Sequence, residues 1–369
     1  IDFLVRVAER IIRANPKYVT IVAPLTTWTF TFVAGTGHIV YPLLPVIYET
    51  AHRSGIRPER PMAVATIASQ QAITASPVAA ATAAMIGLFA EKGMTQWGLP
   101  QILMVCVPAT LTGVVAAAIV SMFVGKDLKD DPEYQARLAA GQIPAPQADT
   151  SRTPLKPGAR LSAFIFLAGV ALVVLFGFFP SLRQLPGAKS PLAMPIVIEI
   201  LMMSVAALML LLTKVPVDEV PKTATLRAGV VAVIGIFGLA WLGDSFIAAN
   251  KDVIVPAIGD WAKVAPWTFA FGLFLASVLL YSQAATTRAL MPLGIALGIP
   301  PQFLIAMFPS VNGYFFIPTY GSLIAAINFD LSGTTKIGKY VLNHSFMIPG
   351  LVATSVAVFT GLAIARVIF

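Results

Sequence analysis

The chain has 369 residues, of which 57% are hydrophobic and 11% charged. A soluble domain carries about 25% charged residues, so 25 basic and 17 acidic side chains cannot cover a soluble globule of this length. A cytosolic enzyme, a nucleic-acid-binding domain and a disulfide scaffold are thereby excluded, and the long unbroken apolar runs exclude an outer-membrane barrel, whose strands alternate over about ten residues. The net charge of +8 describes loops rather than a nucleic-acid partner, because basic loops beside membrane spans face the cytoplasm. The single cysteine, Cys106, lies inside an apolar run, so no intrachain disulfide can form. One cysteine and three histidines leave no material for a dedicated metal cluster, and no cofactor motif is present.

Residues 1–17 predict an amphipathic helix. Ile1, Leu4, Val5, Ala8, Ile11 and Ile12 share one face and Arg6, Arg10 and Arg13 the other, the pattern of a helix lying along a bilayer surface. Residues 18–52 are apolar but interrupted at Ala34-Gly35-Thr36-Gly37-His38, and each half is about 15 residues, short of the ~20 needed to span. Residues 53–60 are a basic loop. Residues 61–90 are apolar with a polar centre at Ser69-Gln70-Gln71 and Thr74-Ala75-Ser76-Pro77, and 100–124 read as a clean span. Residues 125–160 hold eleven charges and form the main soluble loop. Spans are expected at 161–179, 193–213 and 225–247 (together 161–247), followed by a short interfacial segment at 250–265. Residues 266–299 are apolar but broken around Ser282–Arg288, 300–328 carry Asn312, Gly313, Pro318 and Thr319 in mid-run, 329–343 are polar, and 344–369 make the last span.

The basic segments 1–17, 53–60 and 125–160 share one side of the membrane only if an even number of crossings separates them. The spans 61–90 and 100–124 supply two, so 18–52 is read as a re-entrant hairpin, which survives at membrane depth only when buried in protein or lining a cavity. Continuing the count, the second hairpin, 266–299, enters from the opposite side. The order interfacial helix, hairpin, broken helix, full span thus occurs twice with opposite orientation, the inverted repeat of secondary transporters. Pro77 and Pro318 mark the two helix breaks. The second repeat opens with three spans and the first with none, so about three helices, roughly 60–90 residues, are expected to precede Ile1.

Four unwound places are expected to meet near the midplane. They supply Thr36, Gly37, His38, Ser69, Gln70, Thr74, Ser76, Ser282, Gln283, Thr286, Thr287, Arg288, Asn312, Thr319 and Tyr320. Half-helix N-termini direct backbone N–H groups at anions, hydroxyls and amides bind carboxylates without a buried charge, and the planar fork of Arg288 suits a carboxylate. These segments hold Arg288 and His38 and no acidic residue, so an anionic substrate is expected. Each feature has a plainer reading. Ser and Thr also glue membrane helices together. Arg288 can be a snorkelling residue or half of an internal ion pair. His38 can be a hydrogen-bonded turn residue, and His52 and His344 sit beside loops. Glu199 and Asp244 lie in apolar runs and either pair or approach a membrane face. The stretches Ser69-Gln70-x-Ala72-x-Thr74 and Ser282-Gln283-x-Ala285-x-Thr287 match, although the topology puts them on non-equivalent elements.

The stretches AGTGHIVYPLLPVI (34–47), ASQQAITASPVAAA (68–81), GKDLKDDPEYQARLAAG (125–141), LLYSQAATTRALMP (279–292), IPTYGSLIAAI (317–327) and KIGKYVLNHSFMIPG (336–350) resemble the bacterial anaerobic C4-dicarboxylate transporter family, the Dcu A/B type, over nearly the whole chain. The resemblance implies a multi-pass protein of the bacterial inner membrane. It implies exchange of external fumarate, malate or aspartate for internal succinate during anaerobic respiration. A distant likeness to the ion transporter superfamily implies an elevator motion, usually in a homodimer. The hairpins and broken helices would then move, while 100–124, 161–179, 193–213, 225–247 and 344–369 would be mostly scaffold. Sodium-coupled relatives carry Ser-Asn-Thr at their hairpin tips. The tips here differ, which speaks against sodium coupling and leaves a proton-linked role open to His38. An ion-coupled dicarboxylate symporter is the transporter alternative. A regulatory partner of a sensor kinase, contacted through the loop 125–160, is the alternative from another class; an enzyme is not expected.

Overall fold

The computed structural model describes residues 2–143, 155, 157–188, 190–213, 216–222, 265 and 267–369, with isolated positions between 226 and 253. Asp244 and most of the segments expected at 225–247 and 250–265 lie outside the described residues. Every regular element among the described residues is helical.

Helix α1 (Asp2–Ala14) buries Leu4, Val5, Ala8 and Ile12 and exposes Arg10 and Arg13; Ile11, expected on the apolar face, is exposed. Its buried stripe packs against α2 (Val19–Ala34) and α3 (Leu44–Arg53). A 3-10 stretch, Gly37–Leu43, joins α2 to α3, and the two helices pack together as a hairpin. Helix α4 (Glu59–Gln71) runs through a 3-10 turn, Ala72–Ala75, to an extended break at Ser76, one residue before Pro77. Proline disfavours the helical region for the residue before it. The chain resumes as α5 (Ala80–Glu91). Helix α6 (Leu99–Ser121) is continuous, and the polar loop beyond it carries α7 (Pro132–Ala139), capped by Asp131.

Helices α8 (Ala159–Phe178) and α9 (Met194–Thr213) pack chiefly on each other, Gly169 meeting Val205. The second hairpin is α10 (Thr268–Leu280) with α11 (Gln283–Ala296). Helix α12 (Pro301–Met307) gives way to two 3-10 turns, Phe308–Val311 and Gly313–Phe315, hinged at Asn312. After Pro318 the chain re-enters helix as α13 (Gly321–Phe329), and α14 (Met347–Ile368) closes the fold. Among the described residues five segments are long and apolar enough to cross a bilayer: Glu59–Glu91, α6, α8, α9 and α14.

Helices α6 and α14 form the most extensive helix pair. Their contact runs along small residues, a Cβ at Gly113 colliding with the Ala353 carbonyl; α14 also approaches α12 closely, where a Cβ at Gly361 would lie 2.8 Å from the Ala306 carbonyl. Small residues let helix backbones approach where the hydrophobic effect cannot drive association. The sequence groups these two helices with the scaffold. In the fold they touch both broken helices, and Trp28 of the first hairpin donates its indole N–H to Thr110 of α6 (3.1 Å).

One end of the bundle is tied by charge. Arg57, in the α3–α4 turn, sits between Glu59 (2.5 Å) and Asp131. Arg60 pairs with Asp127 (2.9 Å) and donates to the Val124 and Gly125 carbonyls. The Glu59 carboxylate accepts from Ser345 (2.6 Å), Lys336 pairs with Glu133, and Arg137 donates to the Ser332 carbonyl (2.8 Å). Arg13 of α1 pairs with Glu49 of α3 (2.8 Å). Arg13, the 53–60 turn, the described residues 124–137 and the 330–345 loop therefore gather at one end. Burial alone would raise the Asp131 carboxyl, but the Arg57 guanidinium and the N–H groups of Tyr134 and Glu133 hold it below the usual carboxylate range.

Candidate functional site

Both hairpin tips use the same device. Helix α2 ends on Gly35 in the left-handed region (φ +70°), followed by extended Thr36, whose hydroxyl accepts the His38 N–H (3.3 Å). Helix α10 ends on Tyr281, also left-handed (φ +50°), followed by extended Ser282, whose hydroxyl accepts the Ala285 N–H (3.2 Å). A left-handed residue closes a helix C-terminus, and a hydroxyl caps the next N-terminus.

Between these tips lies a cluster of four carboxamides. Gln283, the first residue of α11, donates through Nε2 to Gln70 Oε1 (3.0 Å) and Asn312 Oδ1 (3.0 Å). Asn312 donates through Nδ2 to Gln71 Oε1 (3.3 Å) and the Pro309 carbonyl (3.0 Å). Gln71 donates to Thr354 Oγ1 of α14 (2.7 Å). Gln70, Gln71 and Asn312 are buried. The Gln70 NH2 group lies against Gly37 of the first tip, so closely that a Cβ there would overlap it, and it has no protein acceptor among the described residues. The cluster joins both hairpin tips, both helix breaks and α14 through uncharged groups, and Gln70 keeps an open donor.

A ring of tyrosines flanks it. Tyr281 Oη bonds Thr319 Oγ1 (2.7 Å), its ring stacks on Tyr320 (6.2 Å), and Tyr320 meets Tyr314 edge-on (4.9 Å). Tyr41 of the first hairpin, stacked with exposed His38 (5.7 Å), lays its hydroxyl over Gly321 at the start of α13.

The expected site residues therefore divide. Gly37, Gln70 and Gln283 meet. Thr36 and Ser282 cap the tips, and Thr319, Tyr320 and His38 line the tyrosine ring. Ser69, Thr74, Thr286 and Thr287 give their hydroxyl protons to carbonyls of Thr66, Gln71, Ser282 and Gln283, three or four residues back. Ser76 accepts the Val78 N–H (3.4 Å) across the break. Arg288 stands outside the cluster, five residues after Gln283 on α11, paired with Glu91 at the end of α5 (2.9 Å). Gln71, Thr354, Tyr41, Tyr281, Tyr314 and Glu91 are not among the expected site residues; each has a partner far away in the chain, and only the polar run Ser69-Gln70-Gln71 gives a signal for one of them. Among the described residues no three His, Cys, Asp or Glu side chains converge as metal ligands.

A profile described as anaerobic C4-dicarboxylate membrane transporter matches residues 1–369. The chain is 41% identical over 362 residues to the C4-dicarboxylate transporter DcuA of Escherichia coli K12, covering 98% of this chain and 82% of that protein. It is 39% identical over 369 residues to DcuA of Wolinella succinogenes, covering 100% and 84%. It is also 39% identical over 363 residues to the anaerobic C4-dicarboxylate transporter DcuB of E. coli O6:H1, covering 97% and 81%. No solved structure matches the chain. With five bilayer-length apolar segments and a family match along its whole length, this multi-pass membrane protein belongs to the anaerobic C4-dicarboxylate membrane transporter family.

Proposed function

We propose that the chain is an inner-membrane secondary transporter that exchanges C4-dicarboxylates, taking in fumarate, malate or aspartate and releasing succinate by alternating access. The observation that carries this reading is the carboxamide cluster held between two hydroxyl-capped hairpin tips, with the Gln70 NH2 left without a protein acceptor among the described residues. A carboxylate entering there meets N–H donors and the capped N-terminus of α11, so its charge is met by hydrogen bonds and a helix dipole rather than by a fixed buried cation. Arg288, on the same helix, takes the second carboxylate. The cluster itself carries no fixed charge, so it does not distinguish one dicarboxylate dianion from another by charge, which suits exchange of one dianion for another.

The charge-tied end carries the basic segments and faces the cytoplasm by the bias of membrane proteins. The repeated order of hairpin, broken helix and full helix supports an inverted repeat and an elevator-type motion. In that motion α6 and α14 travel with the broken helices they pack against, and α8 and α9, exposed over most of their surface, serve as scaffold and homodimer contact.

Counterflow tests this. Liposomes holding the protein are loaded with unlabelled succinate or fumarate, and entry of labelled succinate is followed beside empty vesicles. Exchange predicts entry into loaded vesicles alone. Entry into empty vesicles under a proton or sodium gradient makes it a symporter, and entry into neither removes the substrate assignment.

A further inference from the structure

Arg288 does not wait empty for a substrate. Its Nη1 contacts Glu91 Oε1 at 2.9 Å across the seam between the second hairpin and the second half of the first broken helix. One turn before Glu91 on α5 is Gly87, and a Cβ there would sit 2.9 Å from Arg288 Nη2, so the missing side chain makes a seat for the guanidinium. The contact is a single one, although the fork offers two, and the Glu91 side chain is 58% exposed against 25% for Arg288. A half-exposed, single-contact pair is weak, so a second carboxylate competes with it on nearly equal terms. Glu91 ends the segment Glu59–Glu91 that starts in the charge-tied end, and it therefore lies at the opposite end of the bundle.

We propose that Glu91 is a resident carboxylate that occupies the guanidinium of Arg288 until a substrate carboxylate displaces it, so that Glu91 sets the apparent affinity for substrate arriving from its end of the bundle. This rests on the reading of Arg288 as a substrate ligand. The substrate need not create a binding geometry for its second carboxylate. It replaces a carboxylate already there, and the seam between α11 and α5 loses its tie as the substrate binds. Glu91 acts through Arg288 and is a positioning residue.

The test uses the protein reconstituted in liposomes of known orientation, with initial counterflow rates of labelled succinate measured against concentration on each side. Glu91→Gln removes the competing charge and is expected to lower the apparent KM about two- to fivefold, the span of one exposed ion pair. The change is carried by KM and confined to the side on which Glu91 lies. Glu91→Asp keeps the charge and retains the parent KM. Gly87→Ala, which crowds the guanidinium, raises KM. An unchanged or raised KM in Glu91→Gln, or the same shift on both sides, overturns the proposal. Arg288→Ala separates the two ideas. If it leaves KM unchanged, Arg288 is no substrate ligand and the underlying reading fails. If it raises KM while Glu91→Gln does not lower it, that reading stands and the competition alone is refuted. Thermal unfolding of each variant in detergent identifies any that fail to fold; should Glu91→Gln be among them, Glu91→Ala, which also removes the competing carboxylate, carries the side-specific comparison.

Discussion

The two hairpins share a cap and differ in what holds it. In the first, the left-handed position is Gly35, and the tip is pressed onto the break of α4–α5, where a Cβ would lie 3.0 Å from the Val78 carbonyl oxygen. Its first arm is pinned by Trp28 to Thr110 and by the Thr27 hydroxyl to the Ala65 carbonyl (3.0 Å). Its base is held by Arg57 and its two carboxylates. In the second, the left-handed position is Tyr281, the one such non-glycine residue among those described. That backbone costs an L-residue about 1–2 kcal/mol. The tip is kept by the Tyr281–Thr319 hydroxyl bond and the Tyr320 stack, while Trp267, Phe271, Leu275 and Leu279 of its first arm are exposed. The first hairpin is closed by backbone contact and burial. The first arm of the second meets the backbone of Gly313 closely, but its tip is closed by side-chain contacts over a strained residue, and such contacts can be released one at a time. If the proposed exchange holds, the second is the hairpin expected to open.

The largest test of this contrast is Arg57→Ala. The Arg57 side chain is 9% exposed, and removing one member of a buried ion cluster strands the others at a cost of about 3–5 kcal/mol. A fall in thermal stability accompanied by faster proteolysis of the first hairpin is expected; cutting confined to the second hairpin would invert the comparison. Gly35→Ala comes next. It adds the left-handed penalty of about 1–2 kcal/mol to crowding of about 1–3 kcal/mol, so it should impair folding and counterflow together. Gln283→Ala removes both bonds that tie the second tip to Gln70 and Asn312 and leaves Asn312 Oδ1 without its partner, a loss of about 1–3 kcal/mol. Its effect should appear in substrate affinity more than in melting temperature. Tyr281→Phe keeps the ring and deletes the Thr319 bond, about 0.5–1.5 kcal/mol. It should leave stability nearly unchanged and raise exchange rate if opening of the second hairpin limits it.

The smallest effect at neutral pH belongs to acid. Asp131 has a lowered native pKa, so its contribution to stability is complete above the ordinary carboxylate value of 3.8 and disappears as pH falls through the lowered one. The difference in melting temperature between the parent and Arg57→Ala in detergent should therefore persist to about pH 4 and shrink only below it.

Much of this architecture is local and was legible in advance. Apolar runs report bilayer spans because lipid tolerates few charges. Pro77 and Pro318 fall at the two breaks, where a proline restricts the residue before it, although Pro24, Pro108 and Pro292 sit within continuous helices, so the polar residues around the two breaks matter as well. The Gly35-Thr36 and Tyr281-Ser282 tips are close to their expected places for a similar reason: a hydroxyl caps a helix through backbone two or three residues away. The matched stretches Ser69-Gln70 and Ser282-Gln283, set aside as non-equivalent, bond to each other through their glutamines across 213 residues.

What needed the tertiary structure is the pairing of groups distant in the chain. Hydroxyl residues look alike in sequence, yet Ser69, Thr74, Thr286 and Thr287 spend their protons on their own helices while Thr36 and Ser282 cap tips. The use of a hydroxyl depends on whether a neighbouring element brings a better partner than the carbonyl one turn back. Arg288 announced itself as a costly charge in an apolar run, but its partner, 197 residues away, could be known only once α11 lay against α5. Composition and periodicity thus marked apolar segments long enough to cross a bilayer, because suitability for lipid is set residue by residue. Which polar group answers which was decided by the packing of whole helices, because a buried hydrogen bond requires two groups to arrive in the same place.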